Sequence, residues 1–437
     1  MSVLSQRRSS VLGRVGLTVL DQSVSSMTTL GVLLVVARAT DAGGFGAIAI
    51  GLSIVVVVTG LARAFGTDPL LVHHSSGGGG KPVSDLHEAD TGQPSWSAAV
   101  SASTGTSLAV GASAAVLVGL AGVSTVSVNV ELAHVLWAVA SLLPFLCLAD
   151  AWRFVSFAAS RPQLAIAIDA TWVVIFAVLT VGGGWFAGDR PSSNGQAWQL
   201  MYLWGAGAVV ASGVGIVLLG LSPRVSEASS WCRRHVALSR RCAIEFAMVA
   251  GATQIAMWSV GAFRGLGEAG GMRTAALVLG PVGVLANGVI AAVVPESARS
   301  GGRPGGLTSM LAWPPAALMV GWGVLVRLLP ADIGTVLLRD RWLDAREIFV
   351  PLSVLNAGLI VAVVSSGALR GAGRSPESVR IITSLTLVSV LVGVIASPFG
   401  APITCLAMSI PAWVGALVAH RRAGAPRPQP AFLGGIS

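Results

Sequence analysis

Three acidic side chains inside long apolar stretches are the first residues of this chain that could do chemistry. Asp21, Asp169 and Glu245 each lie in a different apolar run. A carboxylate within a bilayer is costly, and such residues usually pair with a cation or bind protons on a transport path. Asp21 and Glu245 lie near the ends of their runs. The alternative to a transport role for these two is therefore that their side chains extend to the lipid headgroups. We take all three as candidate coupling residues of a transporter.

The residue patterns do not indicate an enzyme. The segments between the apolar runs contain no paired carboxylates near a histidine, no nucleophile elbow and no nucleotide-binding loop. The run GGGGK at 77–81 lacks the Ser or Thr of a phosphate-binding loop, because Pro82 follows the lysine. The four cysteines fit neither a zinc site nor a redox pair. We therefore expect a protein that is not an enzyme and that uses no metal or cofactor.

The composition indicates a membrane protein. Hydrophobic residues make up 54% of the chain and charged residues 11%, with a mean hydropathy of +0.78, whereas soluble domains carry roughly 25% charged residues. The apolar runs are long enough to cross a bilayer as helices. The sequence predicts an all-α polytopic membrane protein with about 12 transmembrane helices in two six-helix lobes. The predicted spans are 13–37, 44–65, 98–122, 132–152, 163–186, 199–221, 243–263, 274–294, 309–329, 348–369, 380–397 and 400–419.

The distribution of basic residues predicts the orientation of these spans. With the N-terminus inside, 20 of the 28 Lys and Arg residues fall in cytoplasmic segments and the other 8 outside, as the positive-inside rule requires. This predicts a multi-pass protein of the plasma membrane with both termini cytoplasmic. The positive charges are scattered between spans, so we expect no nucleic-acid partner. The bias towards Arg, Ala, Gly and Val suggests a GC-rich, bacterial genome.

The connecting segments suggest two related halves. We divide the chain into an N-terminal lobe at 1–222, a basic cytoplasmic linker at 223–242 and a C-terminal lobe at 243–437. Each half has a span that ends in arginine, a Gly-Gly turn and a span that ends at a proline beside an acid, as transporter repeats do. The linker should lie on anionic headgroups. The segment 66–97 should be a flexible loop, and 328–347 should form a short interfacial helix.

Several motifs resemble polysaccharide flippases of the multidrug/oligosaccharidyl-lipid/polysaccharide exporter superfamily, of the O-antigen and teichoic acid export type. The opening LDQSVSSMTTLGVLLVVARATDAGGFG is similar to the first span and turn of that family through Leu20-Asp21-Gln22, Ala37-Arg38 and Phe45-Gly46. Three later segments also resemble parts of that family. The exit from its second span is similar to GLARAFGTDPLLV, its eighth span to GMRTAALVLGPVGVLANGVIAAVVPESAR, and a loop late in its second half to LRGAGRSPESVR. The resemblance therefore touches both halves.

This resemblance implies a bundle that opens alternately to each side and moves a polyprenyl-pyrophosphate-linked oligosaccharide outward. In such a fold the first, second, seventh and eighth spans line the cavity. In this chain Arg38, Arg63, Arg264 and Arg273 lie at one end of each of these spans. Arginine suits bidentate binding of phosphate, so these four are the candidate headgroup residues. Ordinary interfacial anchors are the alternative. The implied partners are the lipid-linked oligosaccharide, anionic membrane lipids, and glycosyltransferases or a polymerase of the same pathway.

Two other functions remain open from the sequence. A proton- or sodium-coupled exporter of drugs or metabolites would use a buried acid such as Asp21 or Asp169, in an acidic or apolar cavity. A membrane scaffold for a glycan-synthesis complex would transport nothing. A major-facilitator permease ranks lower, because the loop 66–97 lacks the G-x-x-x-D-R-x-G-R-R pattern.

Overall fold

A computed structural model describes most of the chain. It covers residues 31, 35–36, 38–75, 95–159, 161–183, 197–299, 305–338, 340–371 and 374–425. Within these ranges all regular secondary structure is helical, which confirms the predicted fold class. The fifteen helices are α1 Ala42–Phe65, α2 Thr67–Ser75, α3 Trp96–Thr125, α4 Val130–Ala158, α5 Pro162–Gly182, α6 Ala197–Leu219, α7 Ala228–Phe246, α8 Ala252–Arg264, α9 Leu266–Arg299, α10 Gly305–Leu328, α11 Ala331–Leu338, α12 Arg341–Arg346, α13 Phe349–Gly371, α14 Ser375–Ala396 and α15 Ala401–Gly424.

Nine helices of the described part are long and apolar enough to cross a membrane. They are α1, α3, α4, α5, α6, α10, α13, α14 and α15, and they coincide with nine of the predicted spans. The predicted eighth span lies within α9. Most of the predicted first span lies outside the described residues. The predicted interfacial segment 328–347 forms two short helices, α11 and α12.

The contacts group the chain into two compact units. The first unit comprises 1–277 and 329–346, and the second comprises 278–328 and 347–437. Helix α9 therefore contributes its first turns to one unit and its remainder to the other. The division into lobes at the linker 223–242 stays a prediction.

Helix α4 forms the centre of the first unit. It packs against α3, α6, α1 and α5, and it buries Trp152 and Val155 in a cluster with Leu70 and Trp231. Helix α3 contains a run of small residues, Ser101 to Ser107, all of them buried, and Ser107 Oγ donates to the carbonyl of Ala62 on α1 at 3.2 Å. Small side chains let membrane helices approach closely, since lipid gives little hydrophobic reason for helices to associate.

The predicted basic linker is mostly helical and continues into the seventh span. Helix α7 runs through a single π-helical turn at 247–251 into α8, so one uninterrupted rod extends from 228 to 264. Trp231 anchors the first turn of α7 to the end of α1. The indole N–H of Trp231 lies 3.2 Å from the carbonyl oxygens of both Phe65 and Gly66, and its side chain is buried.

Helix α13 forms the centre of the second unit, between α10 and α15. Tryptophan indoles link helices of this unit through backbone carbonyls, α15 to α13 and α10 to α9. Trp413 donates to Val354 at 3.1 Å, and Trp322 donates to Val278 at 2.9 Å. Each bond satisfies a polar N–H that would otherwise face hydrocarbon.

Candidate functional site

Two arginines and two aspartates alternate in a network within the first unit. Asp150 on α4 accepts from Arg63 Nε of α1 at 3.2 Å and pairs with Arg153 Nη1 at 3.5 Å. Arg153 Nε lies 3.1 Å from Asp169 Oδ1 on α5. The network therefore joins three helices, and its formal charges balance.

The local sequence places this network where it forms. Asp150 and Arg153 are three residues apart on α4, so they lie on one face of the helix. Helix α5 begins after Arg161 with Pro162 in its first turn, and it brings Asp169 to this face with only 3% of its side chain exposed. Buried charges are tolerated when they are paired in this way.

Asp169 was predicted as a coupling residue, and the structure places it in this network. Asp150 and Arg153 were not among the predicted site residues. The signal that could have found them is the spacing Asp-x-x-Arg near the end of an apolar span, LADAWRF at 148–154.

Arg63 lies at the end of α1 with its guanidinium held from two sides. Besides its bond to Asp150, it stacks over the ring of Phe154 at 4.3 Å from the centroid. One third of its side chain remains exposed. The side chain is thus fixed in place by a carboxylate and a ring while part of the guanidinium group stays accessible.

The other end of α1 is packed tightly within the same unit. Arg38 Nη2 donates to the carbonyl of Val336 at 3.3 Å. Phe45 is fully buried, and the guanidinium carbon of Arg341 lies 6.0 Å from its ring centroid. A Cβ at Gly46 would overlap the carbonyl oxygen of Leu266, so only glycine allows α1 to approach the turn between α8 and α9 this closely.

Arg264 and Arg273 differ in their surroundings. Arg264 Nε bonds Glu268 Oε1 at 3.0 Å, and half of the arginine side chain is exposed. Arg273 lies one turn beyond Gly270, which packs on Phe45. Its Nε is buried without a hydrogen bond, and it forms no ion pair with any part of the chain that the structure describes. A donor nitrogen that is buried without an acceptor is energetically unfavourable.

The remaining predicted residues are not placed by the structure. Asp21 lies outside the described residues, as does Gln22 beside it. Glu245 belongs to α7, but its side chain is outside the description. Arg38, Arg63, Arg264 and Arg273 all belong to the first unit. Among the described residues no group of three or more His, Cys, Asp or Glu side chains is arranged to hold a metal ion.

Solved structures with the same fold are membrane transporters. The lipid II flippase MurJ, in an inward closed conformation, aligns with a TM-score of 0.66 at 11% identity, over 93% of this chain and 87% of that chain. An inward-facing multidrug resistance MATE family transporter of the MOP superfamily aligns with a TM-score of 0.61 at 11% identity, over 91% and 93%. A MOP superfamily transporter from Pyrococcus furiosus aligns at 0.55 and 13% identity, over 94% and 93%.

This chain has their fold. No protein-family model matches the sequence, and no curated protein is detectably similar to it. The nine apolar helices and the shared fold identify a multi-pass membrane protein. With identities this low, the likeness establishes the fold and leaves the substrate open.

Proposed function

We propose that this protein is a flippase that moves a polyprenyl-pyrophosphate-linked oligosaccharide from the cytoplasmic to the outer leaflet by alternating access, for cell-surface polysaccharide synthesis. It would act in the plasma membrane with both termini cytoplasmic, beside glycosyltransferases or a polymerase of the same pathway. The cargo needs cationic groups for its pyrophosphate and a path for its lipid tail.

The observation that supports this proposal most is Arg273. Its Nε is buried without a hydrogen bond, and among the described residues it has no ion-pair partner. An anionic ligand would compensate the cost of this unsatisfied donor. Arginine matches the oxygens of a phosphate in a bidentate manner. Arg63 and Arg264 already have carboxylate partners, so we rank them as secondary contacts that would rearrange when a headgroup binds.

The fold supports the same proposal. One of the solved structures that share it is a lipid II flippase. The likeness to multidrug transporters keeps the drug or metabolite exporter as the second candidate. The Asp169–Arg153 pair, with 3.1 Å between its charged atoms, gives this buried carboxylate a structural partner, so its presence does not by itself favour that candidate.

Lipid analysis of a deletion strain tests the proposal. Lipid-linked oligosaccharides are extracted and identified by mass spectrometry, with and without complementation. We expect the full-length species to accumulate in the deletion strain and to disappear with the wild-type protein. Arg273→Gln should fail to clear it, although the protein is present in the membrane at wild-type level. Arg38→Ala together with Arg264→Ala should clear it only in part.

Arg224→Gln provides the matched control. It removes the same charge from an exposed residue whose partner is Glu227, and it should complement fully. If no lipid-linked oligosaccharide accumulates on deletion, the flippase proposal is wrong and the exporter takes its place. If Arg273→Gln clears the lipid as well as wild type does, the headgroup site lies elsewhere. A nontransporting scaffold predicts that every variant present in the membrane complements.

A further inference from the structure

A second cluster of arginines lies in the second unit, far along the chain from the residues of the proposed transport site. Arg374, Arg380 and Arg422 surround one acid, Glu377, in a groove between the start of α14 and the end of α15. The groove has a volume of about 460 Å³. Three guanidinium groups beside one carboxylate leave a formal excess of two positive charges at this place.

Both oxygens of the single carboxylate are already engaged. Arg374 Nη2 lies 2.7 Å from Glu377 Oε2, and Arg374 Nε donates to the same oxygen at 2.9 Å. Arg422 Nη1 lies 3.6 Å from Oε1. Arg374 also donates through Nη1 to the carbonyl of Arg422 at 2.7 Å, which fixes the two helix ends to each other. Glu377 therefore holds Arg374 and Arg422 together, and its single negative charge does not balance the charges of the three arginines.

The two remaining guanidinium groups are accessible. Arg380 is exposed, and the Arg422 side chain is 64% exposed. Helix α14 begins here, and no side chain caps its N-terminus, so its first N–H groups add to the positive potential. An anion with several oxygens fits these donors better than a single carboxylate does.

On both α14 and α15, the helix face that bears these arginines is apolar and exposed farther along the helix, away from the groove. On α14 Arg380 is followed on the same face by Leu387 and Leu391, which are 58% and 60% exposed. On α15 Arg422 is preceded by Val418 and Val414, four and eight residues earlier, which are 41% and 51% exposed. The site thus presents a charged end and an apolar extension, whereas free phosphate would use only the charged end.

We propose that this groove binds the headgroup of an anionic phospholipid, with the phosphodiester between Arg380 and Arg422 and an acyl chain along Val418 and Val414. The positive-inside distribution predicts that this end of both helices is cytoplasmic, where anionic lipids attract basic residues next to a span. The proposal concerns the second unit alone and does not depend on which cargo the protein moves.

Native mass spectrometry of the full-length protein tests this site. The protein is titrated in detergent with phosphatidylglycerol and, separately, with phosphatidylcholine. We expect the wild type to retain phosphatidylglycerol at much lower concentration than phosphatidylcholine. Arg380→Gln with Arg422→Gln should weaken phosphatidylglycerol binding about 25-fold, because each arginine at an anionic surface contributes about a factor of five. Binding of phosphatidylcholine should not change.

Arg233→Gln with Arg234→Gln is the matched control, since it removes two exposed arginines from α7 and leaves the groove intact. Because the linker is expected to meet anionic headgroups only as a charged surface, this variant should weaken phosphatidylglycerol binding much less than the groove variant does. Equal weakening in both double variants would overturn the proposal, because net charge rather than the groove would then govern binding. Loss of bound lipid on addition of millimolar inorganic phosphate would also overturn it in favour of a phosphate site. Equal retention of the two lipids by the wild type would refute it outright.

Discussion

Replacing Asp169 with asparagine separates a structural role of this residue from a role in ion coupling. The Asp169 side chain is 3% exposed and that of Arg153 13% exposed, and their charged atoms lie 3.1 Å apart. Removing one partner of a buried ion pair costs about 3–5 kcal/mol, because the other charge stays buried. Arg153 keeps Asp150 as a second partner at 3.5 Å. We therefore expect the lower end, about 3 kcal/mol of destabilisation.

Reversible unfolding in mixed detergent micelles measures this change, with the 13 tryptophans of the chain as the fluorescent probe. Glu227→Gln is the control. It breaks the Arg224–Glu227 pair, whose side chains are 59% and 37% exposed, and such surface pairs contribute at most about 1 kcal/mol. The double variant Arg153→Met with Asp169→Leu should recover much of the lost stability, since an apolar pair of similar volume often replaces a buried ion pair without cost.

The transport activity of Asp169→Asn decides whether Asp169 has a structural role or a role in ion coupling. If the variant is as stable as the wild type within about 1 kcal/mol, the reasoning from burial is wrong. Loss of transport at unchanged stability would then identify Asp169 as a coupling carboxylate. A destabilised variant that still transports at a temperature where it stays folded would identify the network as a structural element of the first unit.

Two further predictions follow from packing and exposure. Gly46→Ala should destabilise the protein by about 3 kcal/mol in the same unfolding assay, because the new methyl group overlaps the backbone of Leu266. Gly213→Ala is the control: its methyl group meets nothing within 4 Å, and it should change stability by less than about 1 kcal/mol. Equal effects of the two variants would contradict the close approach of α1 to Leu266. In a Cys242→Ser background, a membrane-impermeant maleimide should label Cys232 in inverted vesicles only, and labelling in right-side-out vesicles alone would reverse the predicted orientation. Burial raises the pKa of the Cys232 thiol, so its labelling rate should increase with pH above neutrality.

The sequence predicted most spans because each is a continuous apolar run, a signal that requires no knowledge of neighbouring helices. The helix α7 was harder to predict from the sequence, because its arginines and serines are typical of a linker. The Arg153–Asp169 pair joins α4 to α5, and its formation depends on how those helices face each other. Likewise, the basic character of Arg273 is evident from the sequence. That it has no anionic partner among the residues the structure describes is a property of the packing around it.

The π-helical turn at 247–251 sets the rotational phase between the two parts of the rod formed by α7 and α8. Such a turn accommodates one extra residue in an α-helix, and each residue of an α-helix advances the chain by about 100°. Deleting one residue there would restore regular α-helix and rotate α7 relative to α8. Trp231 would then face away from Phe65 and Gly66, while Trp258 could keep its bond to Ser53. The turn is therefore a torsional offset within one continuous helix. It lets Trp231 contact Phe65 and Gly66 while Trp258 contacts Ser53, although these contacts lie in different directions from the helix axis.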